Sequence, residues 1–224
     1  MQDPLDDHLS IASTRTLQKP RLLLQHIRDA YPIGIPALSI KSTTDRIGLD
    51  AGYSFHLGTA EPELRRIASW IITNIEESER VEVIIGRLWK RFGREDLVLS
   101  SILLANLPEK ENFPDWKWAT LIDLISHVER KRERIPIEVM LLHVEEMTRA
   151  NCSKMNEDLG LKLLNGSRAE KCLGIVGIYQ LSKKETISET LKTGLNSVIL
   201  PDGDGLLRRI RDAIVNDARN GQRH

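Results

Sequence analysis

Val81-Glu82-Val83-Ile84-Ile85-Gly86-Arg87-Leu88-Trp89-Lys90-Arg91-Phe92 carries the most legible period in the chain. Val81, Ile84, Ile85, Leu88, Trp89 and Phe92 recur at helical spacing and form one apolar stripe. Gly93 stops the pattern. The run that follows, Leu97 to Leu107, is apolar almost all round, which predicts a helix covered by neighbours on both sides. Upstream, Gly58-Thr59 leads into Glu61-Pro62-Glu63, where proline suits the first turn and the acids suit the positive end of the helix dipole. That helix carries Leu64, Ile67, Ala68, Ile71 and Ile75 inward.

Further out, Pro20 opens a helix bearing Leu22, Leu23, Leu24 and Ile27, and Tyr31-Pro32-Ile33-Gly34-Ile35-Pro36 ends it. Another helix is expected over about 42–57. Downstream, helices are expected near 115–131, 136–150, 155–165, 168–182, 185–198 and 204–219. Ser167 with Glu170 and Ser182 with Glu185 fit capping boxes, and Pro136 suits a first helical turn. No strand-like alternation stands out. About eleven helices of roughly ten to twenty residues leave two architectures, a closed bundle or a right-handed stack of antiparallel pairs. The spacing of roughly 35–45 residues per pair fits HEAT-type repeats. Residues 1–40 are expected as an N-terminal extension with one helix and 41–220 as the helical-repeat domain, so the fold class is an all-α superhelix.

Composition agrees with a folded α protein. Hydrophobic residues make up 41% and charged residues 29%, too apolar for disorder, while aromatics are only 4%. Lys plus Arg and Asp plus Glu balance at 32 each, so any nucleic-acid site must come from local segregation of charge. Cys152 and Cys172 lie in no CxxC pattern, which argues for reduced thiols. His127 and His143 show no HExxH spacing, the other histidines are scattered, and neither a metal nor a cofactor is expected. Met140, Met147 and Met155 read as core filling. Residues 1–8 lack a signal-peptide pattern and no long apolar run occurs, so a cytoplasmic location without a membrane partner is expected.

Phe55-His56-Leu57-Gly58-Thr59-Ala60-Glu61-Pro62-Glu63-Leu64-Arg65-Arg66 resembles a signature of the AlkD-type DNA alkylation repair family, HEAT-like proteins related to DNA glycosylases. Ile84-Ile85-Gly86-Arg87-Leu88-Trp89 with Arg94-Glu95-Asp96 is similar to that family's Leu-Trp segment and the helix start after it. Trp118-Ala119-Thr120-Leu121-Ile122-Asp123 resembles its Trp-rich stretch ending in aspartate. The likeness covers residues 43–126 or so, and it implies a C-shaped helical stack whose concave face cups duplex DNA, damaged or branched DNA included.

The resemblance also implies roles. Asp123 falls where the family places a carboxylate that stabilises positive charge on the sugar as an alkylated purine departs, and Trp118 or Trp116 would hold the nucleotide. Three departures stand against excision. Ala119 replaces a tryptophan, Cys172, with Lys171 beside it, replaces an arginine, and Ala213 replaces a second tryptophan. Phosphate contacts are expected from Arg65, Arg66, Arg87, Lys90, Arg91, Arg94, Lys117, Lys171, Arg208, Arg209 and Arg211, with Arg130-Lys131-Arg132 and Arg134 as a further cluster. Two alternatives are an active glycosylase for alkylated purines and a scaffold that grips another protein.

Overall fold

The computed structural model describes residues 3–36, 52–130, 135–200 and 204–220. Among them the chain is helical and without strands. It forms two compact units, residues 1–108 and 109–224.

The first unit contains α1 (Pro4–Ser10), α2 (Thr14–Gln18), α3 (Pro20–Ala30), α4 (Glu61–Asn74), α5 (Ser78–Arg91) and α6 (Arg94–Asn106). Where one helix was expected in residues 1–40 there are three. The two extra helices are too short to show a period, and side-chain caps start them: Asp3 accepts from the Leu5 amide at 2.9 Å and Ser13 from the Thr16 amide at 3.1 Å. α1 packs on α3 and α4, and α3 packs on α5. These helices therefore belong to the same unit as α4–α6, and the described boundary falls at 108/109 instead of 40/41.

The α5 stripe is buried as its period requires, at Val81, Ile84, Ile85, Leu88 and Trp89. α6 packs against both α4 and α5, and every residue from Glu95 to Ala105 is buried. Each large apolar side chain withdrawn from water there contributes roughly 1.5–3 kcal/mol. The stop after α5 works differently from the sequence reading. Phe92 takes the left-handed conformation at φ 59°, while Gly93 caps the start of α6 with an ordinary φ of −72°. Gly93 is needed for space, because a Cβ there would lie 2.0 Å from the Phe55 ring.

Of the helix expected over 42–57, residues 42–51 lie outside the described residues, and 52–57 are not helical. Gly52 and Gly58 have φ of 80° and 88°, which only glycine adopts without strain. Between them the chain docks on the α5–α6 junction: the Ser54 amide donates to Phe92 O and the Arg94 amide to Phe55 O, both at 2.9 Å.

The second unit contains α7 (Trp116–Glu129), α8 (Ile137–Arg149), α9 (Glu157–Leu164), α10 (Arg168–Ser182), α11 (Glu189–Ser197) and α12 (Gly205–Asn220). α10 is its centre, touching α7, α8, α9 and α12. The capping box at Ser167 is present, with the Glu170 amide on Ser167 Oγ at 3.2 Å and the Ser167 amide on Glu170 Oε2 at 2.7 Å. The one expected at Ser182 is absent. α10 runs on to Ser182, the Lys184 and Glu185 amides close on Leu181 O, and Ser188 caps α11 through the Leu191 amide.

Candidate nucleic-acid interface

α7 carries Trp116, Trp118 and Asp123, but the two indoles are buried and the carboxylate is not. Its buried side comprises Trp116, Lys117, Trp118, Leu121, Ile125 and Val128, whereas Asp123 is exposed. Five residues of α-helix turn the chain by about 140° beyond a full revolution, which carries Asp123 away from Trp118. Both indoles are core residues, 2% and 4% exposed. Trp116 lies under the Lys110 ammonium, 4.2 Å from the ring centre. Trp118 donates from Nε1 to Ser153 O at 2.9 Å. The expected grouping of a carboxylate between two nucleotide-holding indoles is therefore not formed by these side chains.

The eleven expected phosphate contacts divide by what each cation already touches. Arg91 is the clearest correction. Its Nε donates to Asp96 Oδ2 at 2.9 Å, its Nη2 to Asp96 Oδ1, and its Nη1 to Leu24 O at 2.7 Å. Asp96 is fully buried and also accepts from the Tyr31 hydroxyl at 2.9 Å. Burial pushes the Tyr31 hydroxyl well above its usual range, so it remains a donor, and burial likewise raises the Asp96 carboxyl against the pull of Arg91. Arg91 completes an internal network and is not a surface cation.

Lys117 is the second correction. It is 2% exposed, with Nζ 2.7 Å from Glu109 Oε1 and 3.2 Å from Cys152 Sγ. Arg65 pairs with Glu61 on the surface, Arg66 with Asp3 and Asp6, and Arg211 with Asp212. Such exposed pairs are weak and yield readily to a phosphate. Arg208 donates to Leu200 O and Arg211 also to Val198 O, which ties α12 to the segment before it. Arg87, Lys90 and Arg209 are exposed, while Arg94 and Lys171 are half-buried. Arg130 donates to Ser126 O at 3.2 Å, and residues 131–134 lie outside the described residues.

Arg87 and Lys90 stand on the outer face of α5 with Val83 and Gly86, at positions i, i+3, i+4 and i+7 of one stripe. Val83 is 49% exposed, and a Cβ on Gly86 would meet nothing within 4 Å. Neither cation forms an ion pair among the described residues.

Two polar centres were not anticipated as such. Glu95, buried beside Asp96, accepts from the Leu57 and Gly58 amides at 2.8 and 2.9 Å, and Tyr31 O accepts from the Thr59 hydroxyl at 2.9 Å. These bonds fix the 53–59 segment and the end of α3. In the second unit a cavity of about 160 Å³ is lined by Trp118, Met147, Cys152, Met155, Gly177 and Gln180, among others. Of the three methionines read as core filling all are buried, and Met147 and Met155 line this cavity. The signal available for Lys117 was its place between Trp116 and Trp118, since a cation flanked by two indoles marks a helix start pulled inward on both sides.

Compared with protein-family models, curated proteins and solved structures, the chain matches none of them.

Proposed function

We propose that this chain is a DNA-binding protein whose antiparallel helix pairs belong to a HEAT-like solenoid of the AlkD type, acting inside the cell without excising bases. The proposal rests on the outer face of α5, where Arg87 and Lys90 are paired with no carboxylate among the described residues and flank the bare backbone of Gly86. Two unneutralised cations one turn apart suit successive phosphates. A helix surface without a side chain between them allows the phosphate backbone to approach closely. Contacts of this kind carry no sequence information, so intact, nicked and branched duplexes should all bind. Excision is disfavoured because both indoles are buried in the core while Asp123 is exposed, leaving no indole to hold a nucleotide beside the carboxylate.

Fluorescence anisotropy at low salt tests this directly. The native chain should bind duplex DNA, with affinity falling steeply as salt rises. A variant carrying Arg87→Glu and Lys90→Glu should bind all duplexes more weakly, with a salt slope smaller by about one for each phosphate that is no longer neutralised. Unaltered binding in that variant, or no binding by the native chain, overturns the proposal.

One observation favours a protein-gripping scaffold as the second reading. Arg65, Arg66 and Arg211 are each already paired with an exposed carboxylate of this chain, which leaves a mixed-charge surface. Absence of DNA binding would put that reading first.

A further inference from the structure

Lys117 and Cys152 meet in the interior of the second unit although they stand 35 residues apart. The Nζ to Sγ distance is 3.2 Å, and the two residues are 2% and 8% exposed. The meeting is held from both sides. Asn151, left-handed at φ 53°, turns the chain out of α8, and the Cys152 amide returns to Met147 O at 2.9 Å. The neighbouring residues are joined as well: Trp118 Nε1 donates to Ser153 O at 2.9 Å and Ser153 Oγ to Pro114 O at 2.8 Å. These bonds hold the backbone beside both residues in place. On its other side Cys152 lines the cavity of about 160 Å³. A water molecule takes roughly 30 Å³, so the cavity that Cys152 lines has room for a small peroxide.

We propose that Lys117 and Cys152 form an oxidation-driven cross-link, a sulfenamide joining Nζ to Sγ, with hydrogen peroxide as oxidant. In the first step sulfur attacks one peroxide oxygen and the O–O bond breaks. Cys152 becomes a sulfenic acid, oxidised by two electrons, and the peroxide is reduced with release of one water. In the second step the Lys117 ammonium gives a proton to Glu109, whose Oε1 lies 2.7 Å away. The nitrogen lone pair then attacks Sγ, the N–S bond forms as the S–O bond breaks, and the hydroxide departs as water with a second proton from nitrogen. The chain loses two hydrogen atoms. Burial pushes the Cys152 thiol up despite the pull of Lys117, so the thiolate is scarce at neutral pH and excess peroxide is required. Thiol reductants reverse the link by attack on sulfur.

The test is mass spectrometry on the full chain after peroxide treatment, digested without reduction. The expected product joins the peptide containing Lys117 to the one containing Cys152, about 2 Da below their summed mass, and dithiothreitol restores both. Trypsin should fail to cut after Lys117 in the linked form. The Cys172→Ser variant should still form the link, and Lys117→Arg should not. The oxidised native chain should also melt higher than the reduced one, since the link closes a long loop. If oxidation of the native chain yields sulfenic or sulfinic Cys152 with the Lys117 peptide unlinked, the proposal is wrong, whatever the variants do.

Discussion

In the first unit the buried ionisable groups gather at one helix junction; in the second they are scattered. Tyr31, Arg91 and Asp96 form one connected set between α5 and α6, and Glu95 beside them holds the extended segment before α4. In the second unit His143 is buried with Nδ1 on Val139 O at 2.7 Å, and Asp204 is buried against Arg168. Lys117 there faces a half-exposed carboxylate and a thiol. The difference follows from what must be held. The 53–59 segment has no regular structure to satisfy its backbone, so Glu95 of α6 accepts from its Leu57 and Gly58 amides, and its Thr59 hydroxyl donates to Tyr31 O. In the second unit three of the six described helices carry side-chain caps, at Asn156, Ser167 and Ser188, and apolar packing around α10 does the rest.

The largest expected effect follows from that concentration. Asp96→Ala leaves the Arg91 guanidinium and the Tyr31 hydroxyl without their shared acceptor. Removing one partner of a buried pair typically costs about 3–5 kcal/mol, so the urea midpoint should fall sharply. Asp204→Ala should cost less, because the Arg168 side chain is 41% exposed and can turn to water. Equal losses at the two sites would erase the contrast between the units.

Next in size is an acid effect belonging to the second unit. Burial lowers His143 from its ordinary value of 6.5 to about 4. The folded form thus binds the proton less readily than the unfolded chain. The stability His143 contributes is fully present above pH 6.5 and is lost progressively as pH falls towards 4. The full loss is about 3 kcal/mol as an order of magnitude. Chemical denaturation repeated across this window should show the decline in the native protein, and His143→Gln should flatten it. An unchanged slope in the variant would assign the acid sensitivity to other groups.

What the sequence made legible was apolar order. The α5 stripe, the all-round burial of α6 and the helices after residue 115 could be read because burial of Ile, Leu and Val repeats with the helix turn. Buried polar groups leave no such period. Arg91 looks like any cation at a helix end, and Glu95-Asp96 look like acids placed for the dipole. Only folding brings Tyr31 onto Asp96, across 65 residues of sequence. The segment 52–57 was misread for a related reason: its bonds run to Phe92 and Glu95, partners that no local window contains. Asp123 is a different case. Its distance from Trp118 along one helix already placed the two on different faces. The family likeness set that arithmetic aside.

The smallest expected effect concerns two glycines within helices, one from each unit. At Gly177 a Cβ would lie 2.2 Å from Met155 Cε, so the methionine end must turn aside to admit it. At Gly86 a Cβ would meet nothing within 4 Å, so packing in the first unit gives no reason for glycine. A glycine inside a helix costs roughly 0.5–1 kcal/mol relative to alanine. Gly86→Ala should therefore stabilise the protein by about that amount, whereas Gly177→Ala should gain less, because Met155 must move. If Gly86 keeps α5 bare so that a phosphate backbone can lie against Arg87 and Lys90, the more stable Gly86→Ala chain should bind duplex DNA more weakly. Thermal melting and anisotropy on the same preparation separate the two effects. Higher stability with unchanged affinity would show that DNA, if bound, does not lie on this face of α5.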